Sequence, residues 1–144
     1  MASMHLTSRD VTFAYPGIPP TSSHWSADFA PGTMTALTGP SGRGKSTLLY
    51  LIGTMLRPIA GDITIDGVST VPMRDHERAK LRADNFGFVF QDAALDQTRS
   101  VLANVLETTL YRTAPIANPE RRAMELLERF GVNVPPERKP GQVS

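Results

Sequence analysis

The stretch "GPSGRGKST", Gly39 to Thr47, sets Gly39, Gly42 and Gly44 just ahead of Lys45. It fits the pattern G-x-x-x-x-G-K-[ST], in which residues without a Cβ let backbone N–H groups converge on phosphate oxygens. Such a concavity suits a polyphosphate. Lys45 sets an ammonium against the β and γ phosphates, and Ser46 offers a hydroxyl to Mg²⁺. The N-terminus of the following helix adds its dipole. The flanks support this over a merely flexible turn: "TMTALTG" ahead of the loop reads as a short strand. Behind it, Leu48, Leu49, Leu51, Ile52, Met55 and Leu56 cover one broad helical face, stopped at Pro58.

At 144 residues the chain has room for one domain or for a piece of a larger one. A net charge of +1 and the lack of any run of like charges leave no electrostatic footprint for nucleic acid, which is not expected as a partner. With no cysteine, disulfides, thiolate metal sites and cysteine nucleophiles are excluded. His5, His24 and His76 lack zinc-type spacing and read as surface side chains. No signal-peptide core or membrane-length apolar window is present, so a cytosolic location is expected, with binding to a membrane partner left open.

Ahead of the loop, Val11, Phe13 and Tyr15 alternate as in a half-buried strand that "YPG" breaks, and Trp25, Ala27 and Phe29 repeat the alternation. After it, "GDITIDG" predicts a short strand ending in an Asp66-Gly67 turn, and "VPMRDHERAKLRAD" an exposed helix. The run Phe86 to Phe90, "FGFVF", predicts a strand buried on both faces of a helix-covered sheet. From Thr98 onward Val101, Leu102, Val105, Leu106 and Leu110 lie at helical spacing. A further helix starts at Asn118 as N-cap with Pro119 at its first position, buries Ala123, Leu126, Leu127 and Phe130, and ends at Gly131.

Taken together these residues resemble the ATP-binding subunit of an ABC transporter over nearly the whole chain, in particular the subunits of lipoprotein- and macrolide-type exporters. "FAYPG", "GPSGRGKST" and "FVFQD" stand in that family's order, and "GDITIDG" and "VLANVLE" look like its β hairpin and the start of its helical subdomain. The resemblance implies that Tyr15 stacks on the adenine of ATP and that Gly39, Ser41, Gly42, Arg43, Gly44, Lys45, Ser46 and Thr47 hold its phosphates. It also implies that Gln91 approaches the Mg²⁺ bound at Ser46, positioning ion and water. Arg43 departs from the serine often found in its slot, but that slot is a free position of the motif. The implied fold is an α/β P-loop NTPase with an N-terminal antiparallel β subdomain, residues 1–92 forming this subdomain and the loop core. Residues 93–144 form the start of a helical subdomain. Implied partners are a transmembrane permease and a second ATP-binding subunit in a dimer, on the inner face of the cell membrane.

Hydrolysis needs a group that orients water and charges that stabilise the transition state. In the resembled family the stretch "LSGGQ", an apolar strand ending in Asp and Glu, and a histidine follow. Here the tail reads "KPGQVS", with Val143 and Ser144 aligned to the first two signature residues. The expectation is therefore an N-terminal portion, incomplete at the C-terminus, that binds ATP without hydrolysing it. Apolar faces of the Leu48 to Leu56 helix and of "FGFVF" would then be partly uncovered and promote association. The rival readings are a P-loop kinase of a small metabolite, opposed by the β-rich stretch ahead of the loop, and a degenerate nucleotide-binding or partner-docking module.

Overall fold

The computed structural model describes residues 4–20, 22–91 and 95–143. They divide into two compact units, Met1–Asn85 and Phe86–Ser144.

The first unit is built on four antiparallel strands in the order β2-β1-β3-β4, with β1 at Leu6–Phe13, β2 at Ser22–Phe29, β3 at Ala60–Ile65 and β4 at Val68–Ser69. Leu6, Ser8, Val11 and Phe13 of β1 are all buried, although an unbroken strand cannot turn Leu6 and Val11 to one face. A bulge resolves the conflict. Between Ser8 and Val11 the ladder to β2 slips by one residue, and the ladder to β3 slips between Arg9 and Thr12. Asp10, in the left-handed region at φ 52°, lies in both intervals. Gly61 of β3 faces this bulge at φ 83°, and a Cβ there would overlap the Arg9 and Asp10 carbonyl oxygens. With Ile63 and Ile65 these β1 residues form the sheet's share of the core. The Asp66-Gly67 turn joins β3 to β4 with both residues left-handed, as its sequence predicts.

Helix α1, Lys45–Ile52, follows the loop and buries Thr47 and Leu51. It stops earlier than its apolar pattern predicts. Thr54 adopts φ 57°; its N–H donates to the Leu51 carbonyl at 2.9 Å and the Met55 N–H to that of Tyr50 at 2.8 Å. This pair of bonds is a Schellman closure with threonine where glycine is usual. Helix α2, Asp75–Asn85, is the polar helix expected from the sequence, but it is not simply exposed: it buries Arg78. Arg82 donates to the Thr54 carbonyl at 2.8 Å and Arg78 to that of Leu56 at 3.5 Å. In return Arg57 donates to the carbonyls of Val71 and Met73, and the Asp75 carboxylate accepts from both Arg57 and Arg78.

In the second unit α3 spans Val101–Glu107, with the Ser100 hydroxyl accepting from the Ala103 N–H. The helix is shorter than predicted, and Leu110 lies beyond it, exposed. Helix α4, Pro119–Arg129, begins after Asn118 as expected, yet the Asn118 side chain makes no capping bond. Its buried stripe is Ala123 and Leu127; Phe130, expected in that stripe, is its exposed C-cap. Gly131 closes it at φ 71°, its N–H donating to Glu128 and that of Val132 to Leu127. The carbonyls of Arg138 and Pro136 accept the first two amides of α3, those of Val101 and Leu102. These amides have no acceptor within the helix itself.

Two predicted strands are not formed. Neither "TMTALTG" nor Phe86–Phe90 is in a strand, and no ladder hydrogen bond reaches either segment among the described residues. Apolar composition favours a buried strand, but a strand exists only with a neighbour to take its N–H and C=O groups. Phe86, Phe88 and Phe90 instead stack ring on ring at centroid distances of 5.9 and 6.0 Å, while Val89 is 98% exposed. Leu49 of α1 is exposed as well, so apolar surface is left open on both segments where the sequence predicts it, and Met34 in "TMTALTG" is a further exposed apolar side chain.

Candidate functional site

Gly39 to Gly44 leads straight into α1. Gly39, Gly42 and Gly44 take φ values of 146°, 75° and 80°, conformations that side chains other than hydrogen resist. Left-handed residues on either side of Arg43 produce the alternation of a backbone nest. The Leu48 N–H makes the first helical bond, to the Gly44 carbonyl at 2.9 Å. Among the described residues the N–H groups of Gly42 to Thr47 take no hydrogen bond, and the N-cap Gly44 offers no side chain to satisfy them. A row of unclaimed donors at a helix N-terminus is a seat for an anion.

Lys45, the first residue of α1, folds its side chain back across the loop. Its Nζ donates to the carbonyls of Gly39 at 2.8 Å and Pro40 at 2.7 Å. No ion pair involves Arg43 or Lys45 among the described residues, so the loop's positive charge is not neutralised by a neighbouring carboxylate. Ser41 and Ser46 are exposed, whereas Thr47 is buried.

Tyr15 arrives at this loop from β1. Its hydroxyl lies 3.4 Å from the Thr47 hydroxyl, the long end of hydrogen-bond range. Phe13 braces the ring edge-on, with centroids 4.9 Å apart and planes at 87°. Tyr15 as a whole is 38% exposed. Phe13 is itself buried in the core, and the i, i+2 aromatic spacing in "FAY" is the sequence signal of this ring contact.

The structure thus brings Tyr15 together with Gly39, Ser41, Gly42, Arg43, Gly44, Lys45, Ser46 and Thr47. Gln91 belongs to the second unit, in an exposed bend. No group of three His, Asp or Glu side chains is gathered to hold a metal among the described residues. The free amides, the ammonium and the exposed Ser46 hydroxyl fit a polyphosphate anion.

The model of the family described as "ABC transporter" matches residues 23–144. The lipoprotein-releasing system ATP-binding protein LolD 1 of Rhodospirillum rubrum is 38% identical over 120 residues, 82% of this chain and 53% of that protein. The macrolide export ATP-binding/permease protein MacB 1/2 of Paracoccus denitrificans is 38% identical over 117 residues, 81% of this chain and 18% of that protein. A dimeric bacterial ABC transporter cassette superposes with a TM-score of 0.82 at 29% identity, covering 96% of this chain and 63% of that one. An ATP-binding cassette in a dimeric post-hydrolysis state, bound to ADP and Pi, gives a TM-score of 0.80 at the same identity and coverage. The fold is that of these cassettes, and the chain spans about half the length of the LolD relative.

Proposed function

The chain belongs to the ABC transporter family, and on that premise we propose that it is an ATP-binding subunit, or the ATP-binding part of one, that couples nucleotide binding to export across a membrane. The observation that carries this reading is the loop itself: unclaimed amides from Gly42 to Thr47, the Lys45 ammonium over the same loop, and Tyr15 against Thr47. The amides of Gly42, Arg43, Gly44, Lys45, Ser46 and Thr47, with Gly39 and Ser41 shaping the entry, hold the phosphates of ATP. Lys45 exchanges the Gly39 and Pro40 carbonyls for phosphate oxygen, and Tyr15 stacks on the base. Ser46 is the Mg²⁺ ligand from the loop, and Gln91 is proposed to position ion and water.

The phosphate loop carries no carboxylate ion pair among the described residues, and our reading is that these residues supply the grip while hydrolysis draws on further groups. We assign residues 1–92 to the nucleotide-binding part and 93–144 to a helical subdomain that faces the transport partner. No helix among the described residues is long and apolar enough to cross a membrane. We propose that a transmembrane permease provides the passage, with this ATP-binding part lying on the inner face of the membrane. A second ATP-binding subunit completes a dimer, by analogy with the dimeric cassettes that share the fold. ATP then acts by preferring the closed pair, as any ligand-driven switch requires.

Calorimetric titration with Mg·ATP tests the reading. Wild-type protein is expected to release heat on binding, and Lys45→Ala to weaken affinity by about a hundredfold, the range for charge-assisted bonds to phosphate. A folded wild-type protein with no heat of binding, or a Lys45→Ala variant that binds unchanged, overturns it.

A further inference from the structure

Helix α1 carries the phosphate loop at one end and the Thr54 turn at the other, so whatever fixes the turn sets where the loop sits along the helix axis. We propose that Arg82, seconded by Arg78, is a positioning residue for the loop, acting through that turn; the proposal rests on the nucleotide reading of the loop.

The sequence gives α1 reason to run further. Met55 and Leu56 continue its apolar face, and position 54 has no glycine to invite a left-handed stop. For a β-branched residue φ 57° is unfavourable, so something outside the helix must hold it. Pro58 supplies the opening: it has no N–H, so the Thr54 carbonyl would lack a partner even in a continued helix. Arg82 meets that carbonyl at 2.8 Å and Arg78 reaches the Leu56 carbonyl at 3.5 Å. Both bonds bring cationic donors to the carbonyl end of a helix, where they are favoured.

The guanidinium groups are themselves held. Asp75 accepts from Arg78 at 2.8 Å and from Arg57 at 3.0 Å, and Arg57 reaches back to the carbonyls of Val71 and Met73. Side-chain bonds from Arg78 and then Arg57 hold the Asp75 carboxyl below its ordinary range, and burial lowers the Arg82 guanidinium from its own. The buried Thr54 Oγ1 and Arg78 Nε have no protein partner among the described residues, so the junction depends on the guanidinium bonds it does make.

The test compares wild type, Arg82→Met, Thr54→Gly and the double variant by hydrogen-exchange mass spectrometry and by titration with a fluorescent Mg·ATP analogue. Arg82→Met is expected to speed exchange across residues 48–56 and to weaken nucleotide binding, each by about tenfold, with residues 6–13 of β1 unaffected. Adding Thr54→Gly, which forms the left-handed turn unaided, is expected to return both quantities to within about twofold of wild type. Unchanged exchange over 48–56, an equal rise in β1, or failure of Thr54→Gly to correct either quantity overturns the proposal. Should Arg82→Met not fold, Arg82→Lys carries the same comparison with one donor in place of the fork. Wild-type protein that takes no nucleotide sinks the nucleotide reading alone, because the exchange arm still decides whether Arg82 holds the turn.

Discussion

Thr54 does for α1 what Gly131 does for α4. Both stand in the left-handed region, at φ 57° and 71°, and both close their helix with the same pair of backbone bonds. Only Gly131 does so without steric cost. Replacement is therefore expected to act with opposite signs. Gly131→Ala should destabilise by about 1 kcal/mol, and Thr54→Gly should stabilise by up to about 1 kcal/mol, less whatever the buried methyl contributes. Thermal melts of the two variants check this; a stabilising Gly131→Ala would contradict it.

Gly61 and Gly67 separate two costs that glycine avoids. Both have positive φ, 83° and 80°, but nothing lies within 4 Å of a Cβ built on Gly67, whereas one on Gly61 meets the Asp10 bulge backbone. Gly67→Ala should cost about 1 kcal/mol for conformation alone. Gly61→Ala adds a collision with backbone that cannot swing aside, and should cost about 3 kcal/mol or more. Urea midpoints for the two variants decide it, and equal midpoints would dismiss the collision.

The start of α2 carries an acid-sensitive lock. Glu77 accepts from the Arg74 backbone N–H at 2.7 Å and from its guanidinium at 3.1 Å. The side-chain bond from Arg74 foremost, then the backbone bond, pulls the Glu77 carboxyl down from 4.5 to about 2. A depressed acid stabilises the fold above its unfolded value, and that stability is lost as pH falls through the folded one. Melting temperature should thus decline between pH 4.5 and about 2, and Glu77→Gln should flatten that part of the curve. A wild-type profile that Glu77→Gln leaves unaltered would remove the lock.

Ring and hydroxyl of Tyr15 make separable contributions. Tyr15→Phe gives up the 3.4 Å contact with Thr47 but keeps the face braced by Phe13. Nucleotide affinity should fall by no more than about threefold, a long neutral hydrogen bond being weak. Tyr15→Ala loses the stacking face, and about tenfold or more is expected. Titration of both variants checks the order; equal losses would mean that the hydroxyl, not the ring, carries the contact.

Local chemistry made much of this legible in advance. The glycine loop, the Asp66-Gly67 turn, the Gly131 stop and the Pro119 start each follow from a residue whose conformational range dictates the structure around it. Tyr15 at the loop followed from the family resemblance and not from its own spacing. What escaped were outcomes decided by distant partners. Helix α1 ends at Ile52 because Arg82 and Arg78 reach the turn from α2, and nothing within the helix announces them. Phe86–Phe90 has the composition of a strand, but a ladder is a property of two segments, and composition reports on one. Leu6 was absent from the predicted alternation because it falls out of phase with Val11 and Phe13, and only the bulge at Asp10 explains why all three are buried.

That bulge has a consequence for length. Removing Asp10 would leave a strand of ideal pleat, freed of its left-handed aspartate, in which Leu6, Ser8, Val11 and Phe13 still alternate onto one face. What this interior strand cannot accept is its present length without the bulge, which would turn Leu6 and Ser8 toward water while Val11 and Phe13 stayed inside.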